Sequence, residues 1–588
     1  MFRSRENVVR RLINHDCVHH FSDTPSRRYE HAPKRSFVAL TIFFLGAVTG
    51  FGSPASLAAV HTDSGMIEGV SENGNDVFKG VPFAAAPIGP LRWRAPQAPA
   101  AWSGVRLADR FAPICMQHGS YPEDAPPEAI SEDCLYLNIW VPPHAAGDKL
   151  PVMFWIYGGG LMNGSASTPL YAGDNLARKG VIVVTANYRL GVLGFLAHPD
   201  LSRESPQHVS GNYGLLDQLA ALDWVHRNIA AFGGDPTRVT VFGQSSGSIS
   251  ISELVTSPLS AGLFQRAIGQ SGGLFEPVEL GADFKLVDAE RTGEAFAAKS
   301  GAATVQALRA MPADELIKLH FNPHATIDGY VLPLAPYDAY REGRQNDVDL
   351  LIGSNAHEGR LFLADQPITA ANLTQQLEND FTGLIVSLAG PGAAANDEQA
   401  RALFVTFEGE MRFGWDMWEW ARLHADAGKG RVFFYRYTQE SPYRVGDKYF
   451  DWGASHGMEM PYVFDHLDQQ ALPWKPQDRQ LAAVMSAYWT NFAKSGDPNG
   501  PRLPTWPAFT ASNGNAMLLG ETVGPGPLAD EADLRRIDRL YLTARFITRH
   551  VYSILIGVAV CVLAMIVGLV RFVRSRLRRS AKRVVAAH

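Results

Sequence analysis

Cysteine is almost missing from this chain: there are 4 in 588 residues, none of them in a CxxC pair and none beside a histidine cluster. That leaves nothing for a zinc shell, which needs several thiolate or imidazole ligands at close spacing. No metal or other cofactor is implied. Internal repeats and long low-complexity tracts are absent as well. Charged residues are sparse at 19%, and the formal net charge is −6. Basic residues crowd into the two ends, so the body between them is more acidic still, a poor match for nucleic acid.

What is present is a globular composition, 46% hydrophobic with 54 glycines and 37 prolines, in a chain long enough for a large core. Two uncharged apolar runs stand at its ends. The first, Phe37 to Phe51, follows Arg27, Arg28, Lys34 and Arg35 and leads to Ser56-Leu57-Ala58, small residues at the −3 and −1 positions of a cut before Ala59. Residues 1–58 therefore read as an export signal peptide or a signal anchor. The second run, Val551 to Val570, would be about 30 Å long as a helix, the thickness of a bilayer core. It reads as a transmembrane helix over 551–570, after a juxtamembrane linker at 531–550. The tail 571–588 has basic residues and no acid, which suits a cytoplasmic segment near anionic headgroups. The leader sets the body, 59–530, outside the cytoplasm, in a periplasmic or extracellular position.

Cys17 falls in the leader and Cys561 in the apolar run. Cys115 and Cys134 remain, and an oxidising compartment would let them pair and close the loop from Met116 to Asp133.

Inside the body the stretch Arg238 to Ser250, RVTVFGQSSGSIS, opens as a buried strand and turns sharply through Gly243-Gln244-Ser245-Ser246-Gly247 into a helix-competent run. The glycines on either side of Ser245 permit a turn that lifts its hydroxyl clear of the chain. The following helix would aim free N–H groups at an oxyanion formed there. Upstream, Leu150 to Tyr157 is a continuous apolar strand ending at Gly158-Gly159-Gly160, and successive glycines there leave backbone N–H groups uncovered, as an oxyanion hole requires. Further strands are expected at Leu135–Val141, Val181–Thr185 and Val348–Gly353, with a hairpin within 60–80. A helix over Leu215–Phe232 should stop at Gly233-Gly234-Asp235-Pro236. This order predicts an α/β fold with a mainly parallel sheet and crossover helices.

The motifs EDCLYLNIW (132–140), WIYGGG (155–160), NYR (187–189), GNYGLLDQ (211–218), FGGDP (232–236) and the Ser245 turn resemble the type-B carboxylesterase and cholinesterase family of α/β-hydrolases. The resemblance spans roughly Val60 to Leu519. It implies a serine carboxylesterase with an α/β-hydrolase fold: a central mostly parallel sheet flanked by helices, with a helical cap region, here from Leu363 to Arg431. In that superfamily the acid and the histidine follow the serine in the chain. Glu358, in the loop after the Val348 strand, matches the acid and His456, among Gly453-Ala454-Ser455 and Gly457, the base. His424 lies in a charged helical pattern and His466 in what reads as a surface turn. The resemblance further implies that the N–H groups of Gly159, Gly160 and Ser246 bind the oxyanion.

Two departures shape the expectation. Gln244 stands where many relatives carry Glu. No tryptophan lies between Cys115 and Cys134, whereas cholinesterases stack choline on one in that loop, so a cation–π site for quaternary ammonium is unsupported. A small-molecule ester is the expected partner, together with a membrane through the C-terminal helix. A catalytically silent binding protein of this fold, or an amidase or lactonase on the same triad, stay as alternatives. The sequence sets no oligomeric state.

Overall fold

A computed structural model of the chain describes residues 57–117, 130–278, 284–302, 304–363, 367–447, 450–510 and 514–585. The leader up to residue 56, with Cys17 and the first apolar run, lies outside them.

Runs of β-branched and aromatic residues form the sheet. Its strands are β1 (Val70–Glu72), β2 (Asn75–Pro82), β3 (Tyr136–Val141), β4 (Leu150–Ile156), β5 (Ile182–Ala186), β6 (Gly234–Gln244), β7 (Arg266–Gln270), β8 (Asp349–Asn355), β9 (Val432–Tyr437), β10 (Asn515–Leu519) and β11 (Gly524–Pro527). Their order across the sheet is β11-β10-β9-β8-β7-β6-β4-β5-β3-β2-β1. From β5 through β4 and on to β10 every pair is parallel, while the two edges are antiparallel. The parallel strands are covered on both faces, which is why Val152 to Ile156 and Ile182 to Val184 are all buried apolar residues rather than alternating ones. The hairpin expected within 60–80 is two hairpins, Val60–Thr62 against Gly65–Glu68 and then β1 against β2.

The helices that matter here are α1 (Tyr213–Asn228), α2 (Ser246–Thr256), α3 (Pro336–Arg341), α4 (Leu373–Asp380), α5 (Gly383–Ala389), α6 (Asp397–Gly409), α7 (Trp415–Ala427), α8 (Pro476–Ser495) and α9 (Glu531–Val585). Helix α1 continues as a 3-10 turn to Phe232 and stops at Gly233, whose φ of 78° is the left-handed cap that glycine favours. Strand β6 begins at the very next residue, so only Gly233 acts as the break and Gly234 already pairs with Leu150. Helices α4 to α7 supply the cap expected between Leu363 and Arg431.

Two ion pairs, one buried and one partly buried, explain motifs that the chain shares with the resembling family. Arg189 reaches Asp217 through two bonds of 2.7 Å and adds its own N–H at 3.0 Å, which ties the loop after β5 to α1. Arg92 meets Glu132 at 2.6 Å and donates to the carbonyls of Leu308, Arg309 and Met311. Losing one partner of such a pair strands a buried charge and costs about 3–5 kcal/mol.

The segment 531–550, expected to be a linker, is instead the start of the single helix α9. Leu534, Ile537, Tyr541 and Arg545 are buried against the body, so a side chain is packed there about every turn. From Val551 to Val570 the helix is apolar and exposed; it is long and apolar enough to cross a membrane.

Cys115 and Cys134 form a disulfide across a sequence separation of 19. Opening a loop of this size removes a constraint on the unfolded chain worth about 3 kcal/mol. The paired variant Cys115→Ser with Cys134→Ser is therefore expected to unfold at a lower denaturant midpoint. An unchanged midpoint in chemical denaturation would count against that contribution.

Candidate active site

The site is assembled where β4, β6 and β8 end. Between β6 and α2, Ser245 has φ 57° and ψ −130°, a left-handed backbone that a residue with a Cβ rarely adopts. Close approach explains the flanking glycines. A Cβ on Gly247 would stand 2.1 Å from the carbonyl oxygen of Ile156, and one on Gly243 would stand 2.7 Å from the same atom. The turn is held from outside as well: Ser245 N–H donates to Gln270 O at 2.8 Å, and Ser245 O accepts from Ile249 N–H at 2.9 Å.

The glycine loop after β4 lies against this turn, and a Cβ on Gly158 would be 2.9 Å from that of Ser245. Gly159 (φ 114°) and Gly160 (φ 62°) are both left-handed, which frees their N–H groups from strand pairing. Ser246, the first residue of α2, adds a contact: its hydroxyl accepts from Leu161 N–H at 3.1 Å. An alanine there would leave that loop unpinned. The disulfide loop supports the far side, where Gln117 accepts from Gly164 N–H at 2.9 Å and donates to its carbonyl at 3.0 Å.

Glu358 opens a short 3-10 turn after β8 and is 1% exposed. One carboxylate oxygen accepts from Asn355 N–H at 2.7 Å. The other meets His456 Nδ1 at 2.7 Å, so Nδ1 carries the proton and Nε2 presents its lone pair. That lone pair faces the Ser245 turn, where the Gln244 amide donates to it at 3.1 Å. Ser245 Oγ makes no hydrogen bond to any of the described residues. The structure thus brings Glu358, His456 and the turn together, with Gln244 on the acceptor nitrogen.

Three further residues fix the imidazole, and sequence pattern offered no signal for them. The Phe413 ring stacks on His456 at 4.3 Å and 22°. Phe413 belongs to a π-helical turn, Glu410–Gly414, between α6 and α7, a kind of irregularity that often marks functional positions. Asn355 donates to Ser455 O at 2.8 Å, which holds the backbone beside His456, and to Glu459 at 2.6 Å. Glu459 is fully buried behind the pair, and burial, followed by the neighbouring Glu358 carboxylate, pushes its carboxyl above the usual range.

The other two histidines are structural. His466 is buried rather than in a surface turn, with Nδ1 at 3.2 Å from Leu170 O and Nε2 at 3.1 Å from Asp174. His424 lies between Tyr340 OH and Val348 O, 2.9 Å from each. Burial lowers it to about 4.

The model of the carboxylesterase family matches residues 56–532. A fumonisin B1 esterase of Sphingopyxis macrogoltabida is 41% identical over 488 residues, covering 79% of this chain and 87% of the relative. A bile salt-activated lipase of Mus musculus is 34% identical over 540 residues, with 82% and 87% covered. Among solved structures a PNB esterase superposes with a TM-score of 0.69 at 32% identity, over 81% of this chain and 99% of that one. Fold and relatives together define a carboxylic ester hydrolase built as an α/β-hydrolase. The chain belongs to the type-B carboxylesterase family.

Two outcomes test the geometry. His424 is neutral in the fold and becomes charged on unfolding at acid pH. Its contribution is therefore complete above about pH 6.5 and lost toward pH 4, by roughly 3 kcal/mol at most. The stability gap between wild type and His424→Gln should narrow as pH falls through that window, read by urea midpoints at each pH. Gln244→Glu would set a carboxylate against His456 Nε2 and favour imidazolium. The acid limb of the kcat/KM profile should then move to higher pH, whereas an unmoved limb would place residue 244 away from His456 in solution.

Proposed function

We propose that the protein is a serine esterase working through an acyl-enzyme. Ser245 is the nucleophile, His456 the general base and Glu358 the group that fixes the imidazole tautomer and stabilises its charged form. The observation that carries this reading is the His456 ring held between the Glu358 carboxylate at 2.7 Å and the turn that bears Ser245.

In the first half-reaction the Gln244 amide yields the Nε2 lone pair, His456 takes the Ser245 proton, and Oγ attacks the ester carbonyl. The resulting oxyanion is met by the N–H groups of Gly159, Gly160 and Ser246; one such donor typically contributes about 3 kcal/mol to barrier lowering. Collapse expels the alcohol, which receives the proton from His456. A water then repeats the sequence on the acyl-enzyme and releases the acid. The left-handed backbone at Ser245 supports the assignment, since strain of this sort collects at functional positions.

Helix α9 serves on this reading as a single membrane anchor. Its exposed apolar stretch, Val551 to Val570, and the basic residues from Arg571 on support that role, and the leader sets the catalytic body outside the cytoplasm.

Fluorophosphonate labelling tests the assignment directly. The full chain in detergent should label and should turn over p-nitrophenyl esters, while Ser245→Ala should lose labelling and at least about a thousandfold in kcat, as removal of a triad member does. A folded, disulfide-intact wild type that does not label would point to a silent binding protein. Activity that survives Ser245→Ala would remove the nucleophile assignment.

A further inference from the structure

Helix α9 does more than leave the body. Its first turn is attached through Asp530, which pairs with Arg436 at the end of β9, and Arg536 donates to Ala389 O of α5 at 2.8 Å. Two turns on, the Tyr541 ring packs edge-on against Trp415 at 4.6 Å. Arg549 then pairs with Asp338 of α3. Between these contacts Arg545, 5% exposed, crosses into the core. Its guanidinium lies 3.4 Å from the Tyr337 ring centroid, and one nitrogen donates to the carbonyl of Phe275.

The peptide that Arg545 grips lies close to the nucleophile. Phe275 N–H donates to Asp416 of α7 at 2.8 Å, so the loop is clamped by an acid on its nitrogen side and a guanidinium on its oxygen side. Three residues back, Gly272 O accepts from Ser248 Oγ of α2 at 2.6 Å, and a Cβ on Gly272 would stand 2.4 Å from the carbonyl oxygen of Ser245. Ser271, just before Gly272, has φ 52°, a backbone that persists only where its surroundings enforce it.

Charge favours the same clamp. Asp416 and Glu276 interact electrostatically, and the Arg545 charge acts on both carboxyls. Glu253 on α2, 2% exposed, adds a third acid to this cluster. Burial, with Glu276 second, pushes it up to about 8. Arg545 thus brings a full positive charge from α9 to a group of acids, Asp416 and Glu253 among them buried, that reaches the helix following Ser245.

We propose that Arg545 is a positioning residue for Ser245: from the C-terminal helix it fixes the Phe275 peptide, and through the loop 271–275 it fixes the backbone of the nucleophile turn. The inference rests on the reading of Ser245 as nucleophile. On it, α9 is a working part of the esterase and not only its anchor.

The test uses the full chain in dodecyl maltoside, with active sites titrated by fluorophosphonate. Arg545→Met keeps the length of the stem and removes the charge. It should lower kcat for p-nitrophenyl butyrate, and the labelling rate, by about tenfold, within the range found for mutations along coupled networks, with KM changed less than twofold. Arg545→Lys restores the charge without the planar fork and should recover part of that loss. Arg549→Ala, on the exposed pair with Asp338, should leave kcat within twofold. Kcat per titrated site within twofold of wild type in Arg545→Met would overturn the proposal, even with a lowered Tm. If Arg545→Met does not fold, Arg545→Lys decides, and wild-type kcat there would overturn it. Ser245→Ala in parallel keeps the two readings apart: hydrolysis that survives it removes the nucleophile assignment, and hydrolysis that needs Ser245 but ignores Arg545 removes the positioning role alone.

Discussion

The carbonyl oxygen of Ile156, at the end of β4, is the atom against which the Ser245 turn closes. Both Gly243 and Gly247 bring their backbone against it so tightly that neither has room for a Cβ. Because the chain enters and leaves the turn under that contact, Ser245 is pressed into a left-handed conformation, and α2 starts directly beneath it. The glycine loop after β4 then falls beside the start of α2 because it continues the same strand. The site is therefore a consequence of two adjacent parallel strands ending at one level, the position where α/β sheets ordinarily hold their ligands.

Buried acidity is the second organising fact. Glu358, Glu459 and Glu410 lie in the same interior region, each 3% exposed or less. Arg436 reaches across it, meeting Glu410 at 3.2 Å and donating to Ser354 and to Asn355 O. Burial raises Glu410 well above the ordinary carboxylate range, with Arg436 opposing. Asp530 is the reverse case: burial acts to raise it, yet the Arg436 guanidinium and a hydrogen bond to Glu410 hold it below its ordinary range. A shared proton between neighbouring carboxyls is cheaper in such a place than a second charge. This network holds the loop of Glu358 on one side and the start of α9 on the other.

What the sequence disclosed divides along physical lines. Apolar runs and glycine turns are local, so β4, β5, β6 and the turn at Ser245 were readable from residues alone, and resemblance supplied Glu358 and His456. Residues whose importance comes from where another segment lands were not readable. Phe413 sits on His456 because a π-helical turn shifts it there, and nothing in its neighbours announces that turn. Asn355, Glu459 and the Ser246 hydroxyl act through partners far away in the chain or on another element. His466 and the segment 531–550 were misread for a related reason: both look polar and surface-like in isolation, and each is buried by an element that packs over it. Charge spacing could not reveal that Arg545 faces inward, since its partners come from three different elements.

The continuity of α9 has a mechanical consequence. Fifty-five residues of unbroken helix measure about 80 Å, and the first five turns are fastened to the body at several heights. Such a connection has no swivel. A flexible stalk would let a tethered domain tumble and present any face to its surroundings, but a rod seized along its length fixes both heading and stand-off. Set in a bilayer, rod and body would lean together, and the tilt of one would dictate the angle at which the other meets whatever diffuses past.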